Sequence, residues 1–396
     1  MNIIYFHQYF NTPNEPGSTR SYWICKHLVN KGHKLTVITS RKANSKYKIG
    51  EIDNINIIYL NVKYNQKMNF FRRIFSFLLF TIKASFISFK IPNIDLVIAT
   101  STPLTIGIPA LILKKYKKIP YIFEVRDLWP EVPIQMGILK NFFLIKISKF
   151  LEKTIYINSL HVISLSPGME NGVLKYIDKT KSTVIPNMSK IDQFYPRAIN
   201  DQLFSKFLIK KKAFKIIYFG AMGNSNGLDN LMFSIKLFDN NPDYQFIFLG
   251  DGSKKEELIN FCKTQKIDNV LFLNPLPMNE TSELVNLCDV VVVSFLNLPI
   301  LYTNSPNKLF DSLSAGKPIL VNSSGWTKDL VEDAFCGFYF NPNNPLEFKE
   351  KVFTLSNNRK MIELMCNNSR ALAESKFDKD ILCEKYVNLI DNLFKL

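Results

Sequence analysis

Short runs rich in β-branched and aromatic residues alternate with segments of helical character along nearly the whole chain, and they do so in two series. The first series places strands at 3–6, 35–39, 57–60, 96–99, 121–125 and 161–165, with a helix over 22–30 that ends at Gly32. The second places strands at 215–218, 245–249, 270–273, 290–294 and 318–321. Strands joined by helix-length connections run parallel, because only a long crossover returns the chain to the same end of a sheet. The pattern predicts an α/β fold of two domains with mostly parallel sheets, 1–190 and 213–376, joined by a mixed, charged stretch without clear period at 191–212. A length of 396 residues suits two such domains. Open parallel sheets bind ligands beyond the carboxyl ends of their strands, and two facing sheets would make a cleft.

Composition narrows the partners. Lys and Arg number 50 against 34 acidic residues, a net charge of +16. Such an excess implies nucleic acid, acidic lipid or a phosphorylated small molecule. No single-strand or duplex-binding motif is present, so nucleic acid is set aside. The six cysteines (Cys25, Cys262, Cys288, Cys336, Cys366 and Cys383) and four histidines (His7, His27, His33 and His161) show no metal-like spacing. No metal is expected, and a reducing cytoplasm is the plainer setting. The opening apolar run lacks the basic start and cleavage site of a signal peptide. The longest apolar stretch, 74–89, has Lys83 in its middle and falls short of the roughly 20 residues of a membrane span. The basic, aromatic segment from Lys67 to Lys90, with Arg72 and Arg73, reads either as an amphipathic region facing a membrane or as core helix with solvated cations. Lys114, Lys115, Lys117 and Lys118 could extend the membrane-facing reading.

Four loops are candidates for holding phosphate. Gly17, Ser18, Thr19 and Arg20 follow Pro16 just after the first strand. Glycine lets backbone N–H groups approach an anion and Arg20 could pair with it, or the segment is a turn with a helix cap. Gly220 to Gly227, with Gly223 and Asn224, opens the second series in a spacing that fits neither the dinucleotide fingerprint nor the Walker loop. Gly250-Asp251-Gly252 is a tight turn or a wall for a nucleotide base. In Ser305-Pro306-Asn307-Lys308, Pro306 suits a first helical turn, and Gly316 closes that helix. Lys308 and Asp311 then share a surface: a cation for phosphate and a carboxylate for ribose, or simply an exposed ion pair.

The run 305–320 followed by Gly325, and the opening His7-Gln8-Tyr9-Phe10 through Tyr22, resemble retaining glycosyltransferase family 4. The segment Phe123-Glu124-Val125-Arg126-Asp127-Leu128-Trp129-Pro130-Glu131 is similar to the subgroup that builds bacterial O-antigens and capsules. The likeness extends from residue 1 to about 375 and implies the GT-B fold of two Rossmann-like domains. It implies a nucleotide sugar, usually UDP-linked, on the C-terminal domain and an acceptor on the N-terminal one. It further implies that 377–396 is a helix crossing back onto the first domain, and that no divalent metal is needed. Two features depart from the family: Thr303 stands where a first glutamate is common, and Asn224 and Asn226 occupy the loop where an arginine and a lysine are frequent.

The resemblance implies transfer of a sugar with retention; with the membrane-facing reading of Lys67 to Lys90, an acceptor linked to undecaprenyl diphosphate at the inner face of the cell membrane is expected. Lys308, Asp311 and Asp127 are the catalytic candidates. Gly17, Arg20, Gly220, Gly223, Asn224, Gly250, Gly252, Ser305, Pro306 and Asn307 are donor candidates; His7, Arg126 and Glu131 are acceptor candidates. An ion-pair network among Arg126, Asp127 and Glu131 is the structural alternative. Two rival functions are a UDP-sugar 2-epimerase, which needs no acceptor, and a non-catalytic sugar-nucleotide binder.

Overall fold

The computed structural model describes residues 1–396 except 14, 16, 42–46, 64–67, 69 and 396, and except the side chains of 41, 70 and 71. Pro16 and Lys67, named above, lie outside the described residues. The chain divides into two compact units, the first holding Met1–Pro13, Gly17–Pro186 and Leu382–Leu396, the second Asn187–Ile381.

Strands of the first unit are β1 (Asn2–Phe6), β2 (Lys34–Arg41), β3 (Tyr47–Ile52), β4 (Ile55–Asn61), β5 (Leu96–Thr100), β6 (Tyr121–Val125), β7 (His161–Ser164) and β8 (Ser182–Val184). They form one sheet in the order β3-β4-β2-β1-β5-β6-β7-β8. Every residue of β5 and β6 is buried, the mark of strands covered on both faces. The exposed edge strand β3 is the exception to parallel pairing. It joins β4 through Asp53 and Asn54, both at positive φ, the two-residue geometry of a tight hairpin. Helices α1 (Arg20–Asn30), α2 (Phe70–Lys90), α3 (Gly107–Lys117), α4 (Glu131–Gln135), α5 (Phe142–Asn158) and α6 (Pro167–Val173) supply the crossovers.

The second unit contains α7 (Gln202–Lys206) and strands β9 (Phe214–Phe219), β10 (Tyr244–Leu249), β11 (Val270–Leu273), β12 (Val290–Val293), β13 (Ile319–Val321) and β14 (Gly337–Tyr339). The strand order is β11-β10-β9-β12-β13-β14, with parallel pairing throughout the described residues. Alternation along β9 and β10 sends Ile216, Tyr218, Phe246 and Phe248 into one apolar cluster and Ile217, Phe219, Ile247 and Leu249 into another. Helices α8 (Leu228–Lys236), α9 (Lys255–Thr264), α10 (Met278–Leu287), α11 (Asn307–Ser314), α12 (Trp326–Asp333), α13 (Pro345–Ser356) and α14 (Arg359–Leu372) flank this sheet.

Residues 191–212 are not the expected linker. Phe194, Leu203, Phe207 and Ile209 are buried in the cluster on one face of the second sheet, so their apolar surface ties the segment to that unit. The final helix, α15 (Lys379–Phe394), buries Cys383, Tyr386, Val387 and Ile390. From Leu382 onward it belongs to the first unit, with Glu384 paired to Lys31 at 2.9 Å.

Candidate functional site

In the second unit the site is built where β9 ends. Gly220 follows the strand with φ +120°, a region that L side chains avoid. The Lys308 side chain, from the first turn of α11, reaches over this turn. Its Nζ lies 3.8 Å from the centroid of the Tyr218 ring. That nitrogen is buried and has no hydrogen-bond partner. Burial pushes its pKa down to about 7. A cation held out of water without a counter-ion is costly, so the position is stable chiefly with a neutral amine or with an anion brought to it.

Asp311, one turn further along α11, does not pair with Lys308. Its carboxylate is buried and lies 3.0 Å from Nζ of Lys190, itself buried. Burial raises the Asp311 pKa, and the Lys190 ammonium acts against that rise. The exposed Lys308–Asp311 pair considered from the spacing is therefore replaced by two buried groups with different surroundings. Lys190 was not foreseen, because it lies in an aperiodic stretch and its partner is 121 positions away in sequence.

The remaining donor candidates mostly shape the backbone. Gly223 donates its N–H to Asn226 Oδ1 at 3.1 Å, so this amide is already satisfied within the loop; Asn224 begins the short turn that follows. A Cβ at Gly250 would lie 1.9 Å from the carbonyl oxygen of Gly220, and one at Gly252 would lie 2.3 Å from that of Met222. The two glycines let the loops after β9 and β10 pack backbone against backbone, which favours the turn reading over a base-binding wall. Ser305 is buried and accepts from the Asn187 N–H at 3.3 Å. Pro306 stands just before α11 in extended conformation and Asn307 opens the helix. The Thr303 hydroxyl donates to the Ile300 carbonyl at 2.7 Å.

In the first unit, Arg20 is engaged inside the fold rather than open to a phosphate. It is 1% exposed, and its Nε and Nη2 donate to Glu124 Oε2 at 3.2 and 3.1 Å. Nη2 also reaches the Ile185 carbonyl at 3.0 Å and Nη1 the Pro186 carbonyl. Thr100 donates to the other Glu124 oxygen at 2.8 Å, completing a closed, buried network. Gly17 has φ +121°, and a Cβ there would sit 2.8 Å from Asn11 Nδ2. Thr19 precedes α1 without a side-chain cap.

Arg126 is the cation that stays half-exposed. It donates to Ser18 Oγ at 2.9 Å and lies 3.3 Å from His7 Nε2. Burial, and secondarily Arg126, lower the His7 pKa well below its ordinary value, keeping the ring neutral. Asp127 accepts from Thr102 at 2.9 Å, and burial raises its pKa. Glu131 instead accepts from Gln135 at 2.9 Å and lies 3.9 Å from Lys149. The alternative of a network among Arg126, Asp127 and Glu131 holds only in part: Arg126 acts against the rise in the Asp127 pKa, while α4 turns Glu131 toward its own helix and α5.

Among the described residues, no three His, Cys, Asp or Glu converge on a metal-sized site. A family model described as glycosyl transferases group 1 matches residues 200–372, and one described as a glycosyl transferase 4-like domain matches residues 17–188. The chain carries a glycosyl transferases group 1 domain and a glycosyl transferase 4-like domain, and its fold is GT-B. The probable glycosyltransferase WbjE of Pseudomonas aeruginosa is 22% identical over 69% of this chain and 68% of its own length. An Escherichia coli enzyme named UDP-Gal:alpha-D-GlcNAc-diphosphoundecaprenol alpha-1,3-galactosyltransferase is 25% identical over 55% of this chain and 57% of its own length. Sucrose-phosphate synthase from Thermosynechococcus elongatus shares the fold, with a TM-score of 0.81 at 14% identity over 100% of this chain and 99% of that one.

In this glycosyltransferase, Arg72 is exposed and Arg73 donates to the Met68 carbonyl at 2.9 Å, so the second of the two expected membrane contacts is engaged within the fold. The loop packing also yields a direct test. Gly250→Ala of the glycosyltransferase is expected to cost about 2 kcal/mol or more, through the clash with Gly220 and the strained φ of +146°. Gly223→Ala, whose nearest neighbour is 3.7 Å away, should change thermal unfolding little. Equal melting temperatures for the two variants would contradict the backbone packing described.

Proposed function

We propose that the protein transfers a sugar, with retention, from a UDP-linked donor to a saccharide carried on a lipid diphosphate, working peripherally at the inner face of the cell membrane. The observation that carries this reading is the buried Lys308 Nζ, without a hydrogen-bond partner, beside the Gly220 turn. A donor diphosphate supplies the counter-charge that this position lacks, and the α11 N-terminus adds a favourable dipole. Asp311, held by Lys190, takes the ribose hydroxyls. Arg126, with Ser18 and His7 beside it, takes an anionic group of the acceptor, and Asp127 lies next to it in sequence. The E. coli relative named above for a diphosphoundecaprenol substrate supports this class of acceptor.

In the step itself, the bond from the sugar C1 to the diphosphate oxygen breaks. A bond from C1 to the acceptor oxygen forms on the same face. The acceptor hydroxyl proton passes to the departing phosphate. Lys308 offsets the charge that develops there, so this reading needs no divalent cation, and transfer should persist in excess chelator.

Mass spectrometry of products from a panel of UDP-sugars and a polyprenyl-diphosphate-linked sugar tests the proposal, with anomeric configuration read by NMR. An α-linked product from an α-linked donor is expected. An inverted product contradicts retention. Conversion of a UDP-sugar without acceptor would move the reading to a 2-epimerase.

A further inference from the structure

Three helices of the first unit share an unusual chemistry. Helix α2 carries four cations, α3 three and α5 three, while Glu152 of α5 is the lone acidic residue in the three. Glu152 is 7% exposed, accepts from Tyr176 at 3.3 Å, and so leaves the outward surface without a carboxylate.

Along α2 the exposed Phe75, Ile82, Phe86 and Phe89 recur at spacings of seven, four and three, so they form one stripe. Along α5 a second stripe is built the same way from Phe143, Ile147, Phe150 and Ile157. Phe86 is 69% exposed, Phe143 72% and Phe150 70%, far outside what a soluble helix leaves in water without a partner. Lys146 and Lys153 flank the α5 stripe on one side, in the arrangement of a helix lying in an interface. Helix α3 packs against both α2 and α5 and adds the exposed Tyr116 and Lys115.

We infer that α5, together with α2, docks on an anionic bilayer, with the two aromatic stripes entering the headgroup–acyl boundary and the lysines meeting acidic headgroups. Charge complementarity selects this occupant. A second copy of the same face would set the ten cations of these helices against ten others, and Glu131 of α4, 3.9 Å from Lys149, does not offset them. None of the described helices is long and apolar enough to cross a membrane, so these helices lie on the bilayer. The inference rests on the membrane-surface part of the proposed function, and it moves the main contact from Arg72 and Arg73 to α5, whose stripe the sequence reading passed over.

The test is co-sedimentation of the full chain with vesicles of phosphatidylcholine alone and of phosphatidylcholine mixed with phosphatidylglycerol. Binding to the mixed vesicles is expected, weakened about tenfold or more by Phe143→Ser/Phe150→Ser and similarly by Lys146→Ser/Lys153→Ser. Because all four side chains are exposed, thermal unfolding should be unchanged. In a Phe150→Trp variant, brominated lipid should quench the added fluorescence. Wild-type binding unaffected by the serine variants, no binding to acidic vesicles, or a dimer that those variants dissolve would overturn the inference. Transfer to a short-chain, water-soluble acceptor is measured in parallel. Vesicle binding without any transfer leaves docking standing and removes the proposed activity; normal transfer without vesicle binding does the reverse.

Discussion

Lys308→Met is expected to reduce sugar transfer by about 100- to 1,000-fold, the effect of removing one preorganised group from a site of developing charge. The same change should leave the fold as stable as the wild type or more so. In the free protein the Nζ is buried and unpartnered, and burial holds its pKa near 7. The unfolded chain binds a proton there up to the ordinary lysine range, so between about pH 7 and 10 the unfolded state carries more protons and stability rises with pH. Methionine removes that burden. Loss of activity with a retained or raised melting temperature is a signature that a merely structural lysine would not give. A linked result concerns the donor. Binding of a diphosphate favours the ammonium, so affinity for a UDP-sugar should fall as pH rises through about 7, and Lys308→Met should flatten that dependence.

Arg20→Met should have the opposite character. Arg20 and Glu124 have no exposed side-chain surface, and removing the guanidinium strands a buried carboxylate with Thr100 as its remaining hydrogen-bond donor. Breaking a buried pair from one side costs about 3–5 kcal/mol. Adding Glu124→Met should return part of that loss, since the two effects are coupled. Recovery stays incomplete because the Ile185 and Pro186 carbonyls also lose a donor. Chemical denaturation measures both. The protein that remains folded should keep a normal KM for the donor. A stable Arg20→Met variant with a raised donor KM would reinstate Arg20 as a phosphate ligand.

These two residues show what the sequence reveals and what it hides. The strands at the centre of each sheet are legible because burial on both faces demands continuous apolar runs such as Leu96–Thr100 and Tyr244–Leu249. The edges are not. Tyr47–Ile52 mixes lysine, glycine and glutamate because one side faces water, and Gly337–Tyr339 is three residues long. Glycines at Gly220 and Gly250 announce sharp turns, and the structure supplies the reason, a backbone approach between two loops.

Charge is harder to read. An arginine after a glycine loop suggests phosphate, yet its fate depends on Glu124, which arrives 104 positions later. Asp311 likewise looks like a neighbour of Lys308 but is claimed by Lys190. The exposure of the α5 stripe was hidden because an amphipathic helix reads alike whether its apolar face lies against a core or points outward. Only burial, which puts Glu152 inside and Phe143 outside, separates the two.

The account turns on where a nucleoside diphosphate sits. A crystal structure of the protein with UDP tests it most directly. The β-phosphate should lie within hydrogen-bonding distance of Lys308 Nζ, above the Gly220 turn, with the ribose toward Asp311. Density for the diphosphate elsewhere, with Lys308 still against Tyr218 and without an anion, would contradict the proposed site.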